Sequence, residues 1–369
     1  MSSIPALAPV PGDRFRLRSL FTLAPLSDDH WVGLRAGLGV MLPLLLLVAL
    51  RRLDLAPYVV FGAFASLYSR VPGHLDRLLM QLKASGLMWL VILLAWFSGS
   101  HLVRGAQGPG GVWLLVGATT VVAGVSSVAA GLLRLRPAGP LFHIFAFAAI
   151  SSMPSQPGLG DGMFAATSVM VLALVLGQLG RVAPLQRTPW QVTPAPGLSP
   201  RMVAAIWREG LAYLLAAGVA GGVAALVAGP LGMGHTYWAM VAAVVPLAGR
   251  STRHRLVRAV HRVLGTAGGL VLMVAVVVLH PSPWVAVLII GVMQFLTEVF
   301  VVRNYFWGQV FVTPMALVGT SLGVPLSGAV LYDRAVETVI GAVVGVAVVL
   351  LMNAFSRSSE SRVHVIEPG

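Results

Sequence analysis

The chain has 369 residues, 57% of them hydrophobic and only 10% charged, with a formal net charge of +13. No soluble core uses that much apolar material, so the composition points to a bilayer. Cysteine is absent, which excludes disulfides and Cys-ligated zinc or iron–sulfur centres, and the basic excess lacks the aromatic-interleaved surface of a nucleic-acid binder.

Residues 1–29 are Pro-rich and broken, with Arg14, Arg16 and Arg18 alternating with Phe15 and Leu17. They read as a cytoplasmic arm resting on anionic lipid head groups, not as a cleavable signal peptide. Twelve apolar segments follow, near residues 32–50, 55–69, 78–97, 112–133, 140–153, 163–183, 203–228, 236–249, 259–279, 283–302, 304–322 and 335–354. Several are long enough for a helix to cross a core of roughly 30 Å. Those around Phe61, Phe145 and Val241 are short, which fits either re-entrant half-helices or tilted spans. The fold class expected is all-α, a polytopic membrane protein with about 12 transmembrane helices in two six-helix repeats. Residues 30–183 form the first repeat, 184–202 a cytoplasmic linker, 203–354 the second repeat and 355–369 a short, polar, disordered cytoplasmic tail.

The duplication is written in a block that returns. Tyr58 matches Tyr237, Lys83 matches Arg262 and Gly86 matches Gly265, all at an offset of 179 residues. A smaller echo sets Arg35-Ala-Gly-Leu38 against Arg208-Glu-Gly-Leu211. Duplicated membrane units place a transport site where the repeats meet. Loop charges fix the orientation: twelve crossings with both termini cytoplasmic put 21 of the 25 basic residues inside and leave Arg51, Arg52, Arg104 and Arg334 outside. That is the positive-inside asymmetry.

Charged groups at membrane depth cost about 2.5–3.5 kcal/mol each, so they need a partner or a purpose. Arg35, Arg208, Lys83 and Arg262 occupy matched early positions and form a candidate path for an anion, against the plainer fate of snorkelling to head groups. Glu298, with Gln294 one turn earlier, is a candidate proton carrier or a boundary residue paired with an arginine. His143, inside a short segment, is either a proton relay or a hydrogen-bonded core histidine. Tyr58, Tyr237 and Trp238 offer rings that stack on a substrate or sit in an interfacial belt. Arg255, Arg258 and Arg262 make a basic stripe, while Glu209 and Glu337 sit at span starts, where a helix N-terminus favours an anion. Nucleophile-elbow, zinc-protease and Walker A motifs are absent from the sequence, so an enzyme or an ATP-driven pump is not expected, and no cofactor or metal is implied.

Tyr237-Trp-Ala-Met240, Arg262-Val-Leu-Gly-Thr266-Ala-Gly-Gly269, Arg303-Asn-Tyr305, Phe311-Val-Thr-Pro-Met315 and Ala335-Val-Glu-Thr338-Val-Ile-Gly341 together resemble the fusaric acid resistance-like (FUSC) family. The resemblance covers about residues 205–355. It implies a multi-pass inner-membrane exporter of small organic or aromatic acid anions, possible proton coupling included. Its alternatives are a passive organic-anion channel resembling the aluminium-activated malate channels, or a non-transporting membrane scaffold. The long members' soluble domain is missing between the halves, so no periplasmic adaptor is implied. The partners expected are the bilayer and a small organic anion, with assembly left open between a monomer and a homo-oligomer.

Overall fold

A computed structural model of the chain describes residues 20–25, 29–71, 73–103, 109–182, 188–231, 236–249, 251–320, 322 and 328–365. Arg14, Arg16, Arg18, Arg104 and Arg187, read above as arm and loop charges, lie outside the described residues, as does Arg250. Among those described there is no strand. The α-helices in order are α1 (Asp29–Ala49), α2 (Ala56–Ala63), α3 (His74–Phe97), α4 (Pro109–Leu132), α5 (Leu141–Ser151), α6 (Leu159–Gln178), α7 (Pro200–Leu231), α8 (Tyr237–Leu247), α9 (Thr252–Leu279), α10 (Pro283–Val301), α11 (Tyr305–Thr320) and α12 (Gly328–Val365).

Eight of these segments are long and apolar enough to cross a membrane. Three shorter apolar ones fall where the sequence has its short runs: Leu53–Tyr68, which is α2 with a 3-10 turn at each end, Leu141–Ser151 and Tyr237–Leu247. The 11 residues of α8 rise about 16 Å, roughly half the hydrocarbon thickness. Every residue of α8 is buried, so it sits inside the bundle. The polar tail expected after residue 355 is instead a continuation of α12 to Val365. Ser356-Arg-Ser-Ser-Glu-Ser-Arg362 contains neither Gly nor Pro to end the helix, and the first proline is Pro368.

The pairings come in corresponding sets. Helix α1 lies along α10, and α7 lies along α4; these are the most extensive contacts between the first six helices and the last six. Within the first six, α2 packs on α6 and α3 on α5; within the last six, α8 packs on α12 and α9 on α11. The correspondence reaches single residues. A Cβ on Gly37 would lie 3.0 Å from the Gly291 carbonyl oxygen, and one on Gly210 would lie 3.3 Å from that of Gly124. Without a hydrophobic drive between helices in lipid, such small-residue faces let backbones touch and gain dispersion contact. Two other close approaches use the same spacing: Gly265 and Gly269 of α9 against α11, and Gly341 and Gly345 of α12 against the backbone of α8.

Matching α3 to α9 needs a different register from the one read in sequence. Arg77 Nε donates to Val71 O at 2.9 Å, and Arg255 Nε donates to Gly249 O at 2.9 Å, each six residues back along the chain. Arg77 therefore corresponds to Arg255, 178 residues on. The buried positions agree: Gln81, Ala84, Met88, Val91 and Ala95 map onto Ala259, Arg262, Thr266, Gly269 and Met273. Arg262 thus pairs with Ala84, and Lys83 is turned about 100° away, onto the exposed face of α3.

Two chain segments are pinned across helix ends. Residues Leu20–Pro25 cross the α10–α11 turn, where Asn304 Nδ2 donates to Leu20 O and Thr22 O, Arg303 Nε donates to Ala24 O, and Phe21 meets Phe306 edge-on. The linker between α6 and α7 is held by Thr193 N donating to Asp76 at 3.0 Å and by Arg181 over the Trp190 ring. At the opposite helix ends, Arg52 is tied to Asp54 at 3.0 Å and Asp161 at 2.8 Å. Both carboxylates hold its guanidinium pKa above the usual value, and being exposed they add little to stability.

Candidate functional site

Between the two sets of helices lies a cavity of about 420 Å³. Its walls come from the three short segments and from α9 to α12: Phe64 and Leu67; Phe142 and Phe145; Trp238, Val241 and Val244; Arg262; Gln294 and Glu298; Tyr305 and Gln309; Arg334. The lining extends to the turns after α4, α8 and α10. In the first of these turns Gly139 takes φ +92°, and a Cβ there would sit 3.0 Å from the Tyr213 hydroxyl, so only glycine closes the turn without strain. A much narrower crevice of about 20 Å³ adjoins the cavity and shares Phe64, Leu67, Phe145, Gln294 and Met315 with it. Its remaining wall is almost wholly apolar, with Ala36, Val40, Val60 and Phe61.

Five arginines line the main cavity: Arg70, Arg136, Arg258, Arg262 and Arg334, with Glu298 the carboxylate in the same wall. Each is positioned differently. Arg70 Nη2 and Glu298 Oε2 are 2.7 Å apart, an ion pair joining the end of the second segment to α10, and Gln294 Nε2 donates to Glu298 Oε1 at 3.2 Å. Arg258 lies 4.3 Å over the Tyr305 ring, and Arg334 lies 4.0 Å over the Trp238 ring. Each ring fixes a guanidinium plane while supplying quadrupole attraction. Arg136 is exposed at the rim.

Arg262 is aimed by an amide that is itself locked. Gln309 Nε2 donates to Thr266 Oγ1 at 3.2 Å and to Thr313 Oγ1 at 3.1 Å. With both amide hydrogens used, Gln309 Oε1 must accept, and it does so from Arg262 Nη1 at 2.7 Å and Tyr305 OH at 3.3 Å. The Gly265 and Gly269 face of α9 is what brings α11 close enough for this network. Arg262 is 2% exposed and Arg334 1% exposed. Among the described residues, Arg262 Nε and Nη2, and Arg334 Nε and Nη1, have no hydrogen-bond partner. Among the described residues neither guanidinium is in an ion pair. Buried donors are normally satisfied, so these four nitrogens are unmet donors in the cavity wall.

Of the residues picked out in sequence, the cavity brings together Arg262, Glu298 and Trp238. Arg35 is half-buried on α1, with Nη2 3.5 Å from Ser69 O, and does not line the cavity. Arg208 and Lys83 are exposed on the bundle's outer surface. His143 is fully buried, both its ring nitrogens lack partners, and it lies outside the cavity lining. Tyr58 donates to Gln156 Oε1 at 2.7 Å, away from the cavity. Tyr237 is buried behind Trp238, with ring centroids 5.0 Å apart. Arg334, counted above with the outer loops, is a correction: its side chain is inside the bundle. Trp238, at the start of the wholly buried α8, meets an arginine coming from the start of α12. Arg70, Tyr305 and Gln309 were also missed as site residues. Their signal was chemical and local: an arginine ending an apolar run, and an i, i+4 Tyr and Gln on one face.

The geometry defines a class, a multi-pass helical membrane protein enclosing an arginine-lined cavity. Residues 219–348 match the family model described as fusaric acid resistance protein-like, and this match supports assigning the chain to that family, a membrane transport-related one. The matched region carries Trp238, Arg258, Arg262, Glu298, Tyr305, Gln309 and Arg334. No curated protein and no solved structure matches the chain.

Proposed function

We propose that this protein is a secondary transporter that exports small organic acid anions, aromatic acids among them, across the inner membrane. In this reading the twelve helices form two six-helix repeats with both termini in the cytoplasm. The observation that carries it is the cavity: buried guanidiniums with free donors, set among Trp238, Phe142, Phe145 and Val244. Such a wall favours a ligand with one anionic end and an apolar body. Arg262 is the anion-binding residue of this path. The corresponding pairings of α1 with α10 and α7 with α4 support the duplication. The test is flux of benzoate and hydroxybenzoate from proteoliposomes, with and without a pH gradient. Saturable efflux supports the reading, and equal leakage from protein-free liposomes sinks it.

Proton coupling is assigned to Glu298. Protonating this carboxylate would remove the charge that balances Arg70, which would stay anchored to the Glu298 backbone oxygen at 2.8 Å while its charge became available to the substrate. Glu298→Gln is expected to keep downhill flux and lose its stimulation by an inward proton gradient. Uphill export by this variant at the wild-type rate would end the coupling role. Breaking the pair is expected to cost roughly 1–3 kcal/mol of stability, less than a fully buried pair because the Arg70 side chain is a quarter exposed.

A further inference from the structure

We propose that Arg262 and Arg334 act together as a seat for a single carboxylate, and that Arg334, near the start of α12, decides which ligands the cavity holds. The inference rests on the transport reading for its purpose and on geometry alone for its location. Both guanidiniums are almost wholly buried and line the same cavity. Each offers two nitrogens without partners. Each has its orientation fixed from behind, Arg262 by the Gln309 amide and Arg334 by the Trp238 ring. Two like charges facing one cavity in a low-dielectric bundle are unfavourable until an anion is shared between them. A carboxylate is the group that matches guanidinium forks with two oxygens, and a neutral amide of the same shape does not. Asp333 and Glu337 flank Arg334 on the first turns of α12 and are buried. Neither lies within ion-pair distance of Arg334 among the described residues, so they lessen the local charge without occupying the forks. Trp238 and Phe145, with ring centroids 4.7 Å apart, stand beside the seat and would take the ligand's apolar part.

The experiment is calorimetric titration of the purified full chain in detergent with benzoate, acetate and benzamide. Benzoate is expected to bind, acetate more weakly, and benzamide not at all. Arg334→Gln and Arg334→Lys are each expected to weaken benzoate by about tenfold or more, the worth of one charge-assisted contact. The lysine variant keeps charge and volume, and so separates loss of the fork from loss of folding. A second measurement needs no variant: in crystals soaked with 4-iodobenzoate, the carboxylate should lie within hydrogen-bond distance of both guanidiniums and the iodine toward Phe145. Unchanged affinity in both Arg334 variants overturns the proposal. So does a carboxylate located elsewhere, or failure of benzoate and acetate alike to bind. Its failure and that of the transport reading are distinguishable: benzoate seated here by a protein with no anion flux keeps the seat and sinks transport, whereas undiminished flux in Arg334→Gln does the reverse.

Discussion

Replacing Arg262 with alanine is expected to raise the half-saturating anion concentration for efflux about tenfold or more while leaving the bundle folded. Arg262 contributes little to the fold of the apo protein. It spends one nitrogen on Gln309 and leaves two unpaired at 2% exposure. An uncompensated buried guanidinium destabilises its own fold. Removing it leaves Gln309 Oε1 still accepting from Tyr305 and both amide hydrogens still donated to Thr266 and Thr313. Thermal stability in detergent should therefore hold or rise. The anion, in contrast, loses a charge-assisted contact of about 1.5–3 kcal/mol, or roughly ten- to a hundredfold in affinity. Arg262→Lys should recover part of that loss, because the charge returns without the fork. A variant with normal efflux kinetics, measured in proteoliposomes at matched protein density, would remove Arg262 from the path.

Gly341→Leu is expected to prevent folding. A Cβ at this position would lie 2.2 Å from Ala239 O and 2.6 Å from Ala242 Cβ. Neither atom is the end of a flexible side chain, and α8 is buried on every side, so it has nowhere to retreat. Overpacking against a backbone that cannot move exceeds the usual 1–3 kcal/mol for an added methylene. A midpoint lowered by many degrees, or no monodisperse protein at all, is the outcome to look for by fluorescence-detected gel filtration. Gly86→Ala is the control. A Cβ there meets nothing within 4 Å, and an exposed helical glycine replaced by alanine should gain about 1 kcal/mol. Equal behaviour of the two variants would mean that α8 and α12 are not packed as described.

Most of the architecture was legible because lipid imposes a simple rule, that apolar length reports span. All twelve apolar segments coincide with helices, and the three short ones around Phe61, Phe145 and Val241 are the shorter apolar segments of the structure. The site was legible only in part, for two physical reasons. Identity matching paired Lys83 with Arg262, but a helix turns about 100° per residue. A register wrong by one therefore moved a cation from the core to the surface. Charge counting, for its part, assigns each residue to its nearest loop. Arg334 lies close to a loop in sequence, yet its neighbour in space is Trp238, on a short helix buried on every side. Gln309 carried no charge to draw notice, and its importance comes from the four partners it binds at once.

The crossed pairing of first and fourth helices has a mechanical consequence. Because α1 is stitched to α10 and α7 to α4, each with glycine against backbone, the two halves are sutured along two separate seams. Swinging one half as a rigid lever would shear both seams together. On the transport reading proposed above, alternation would then fall to the short inner pieces, α2, α5 and α8, working like tumblers inside a casing that stays still.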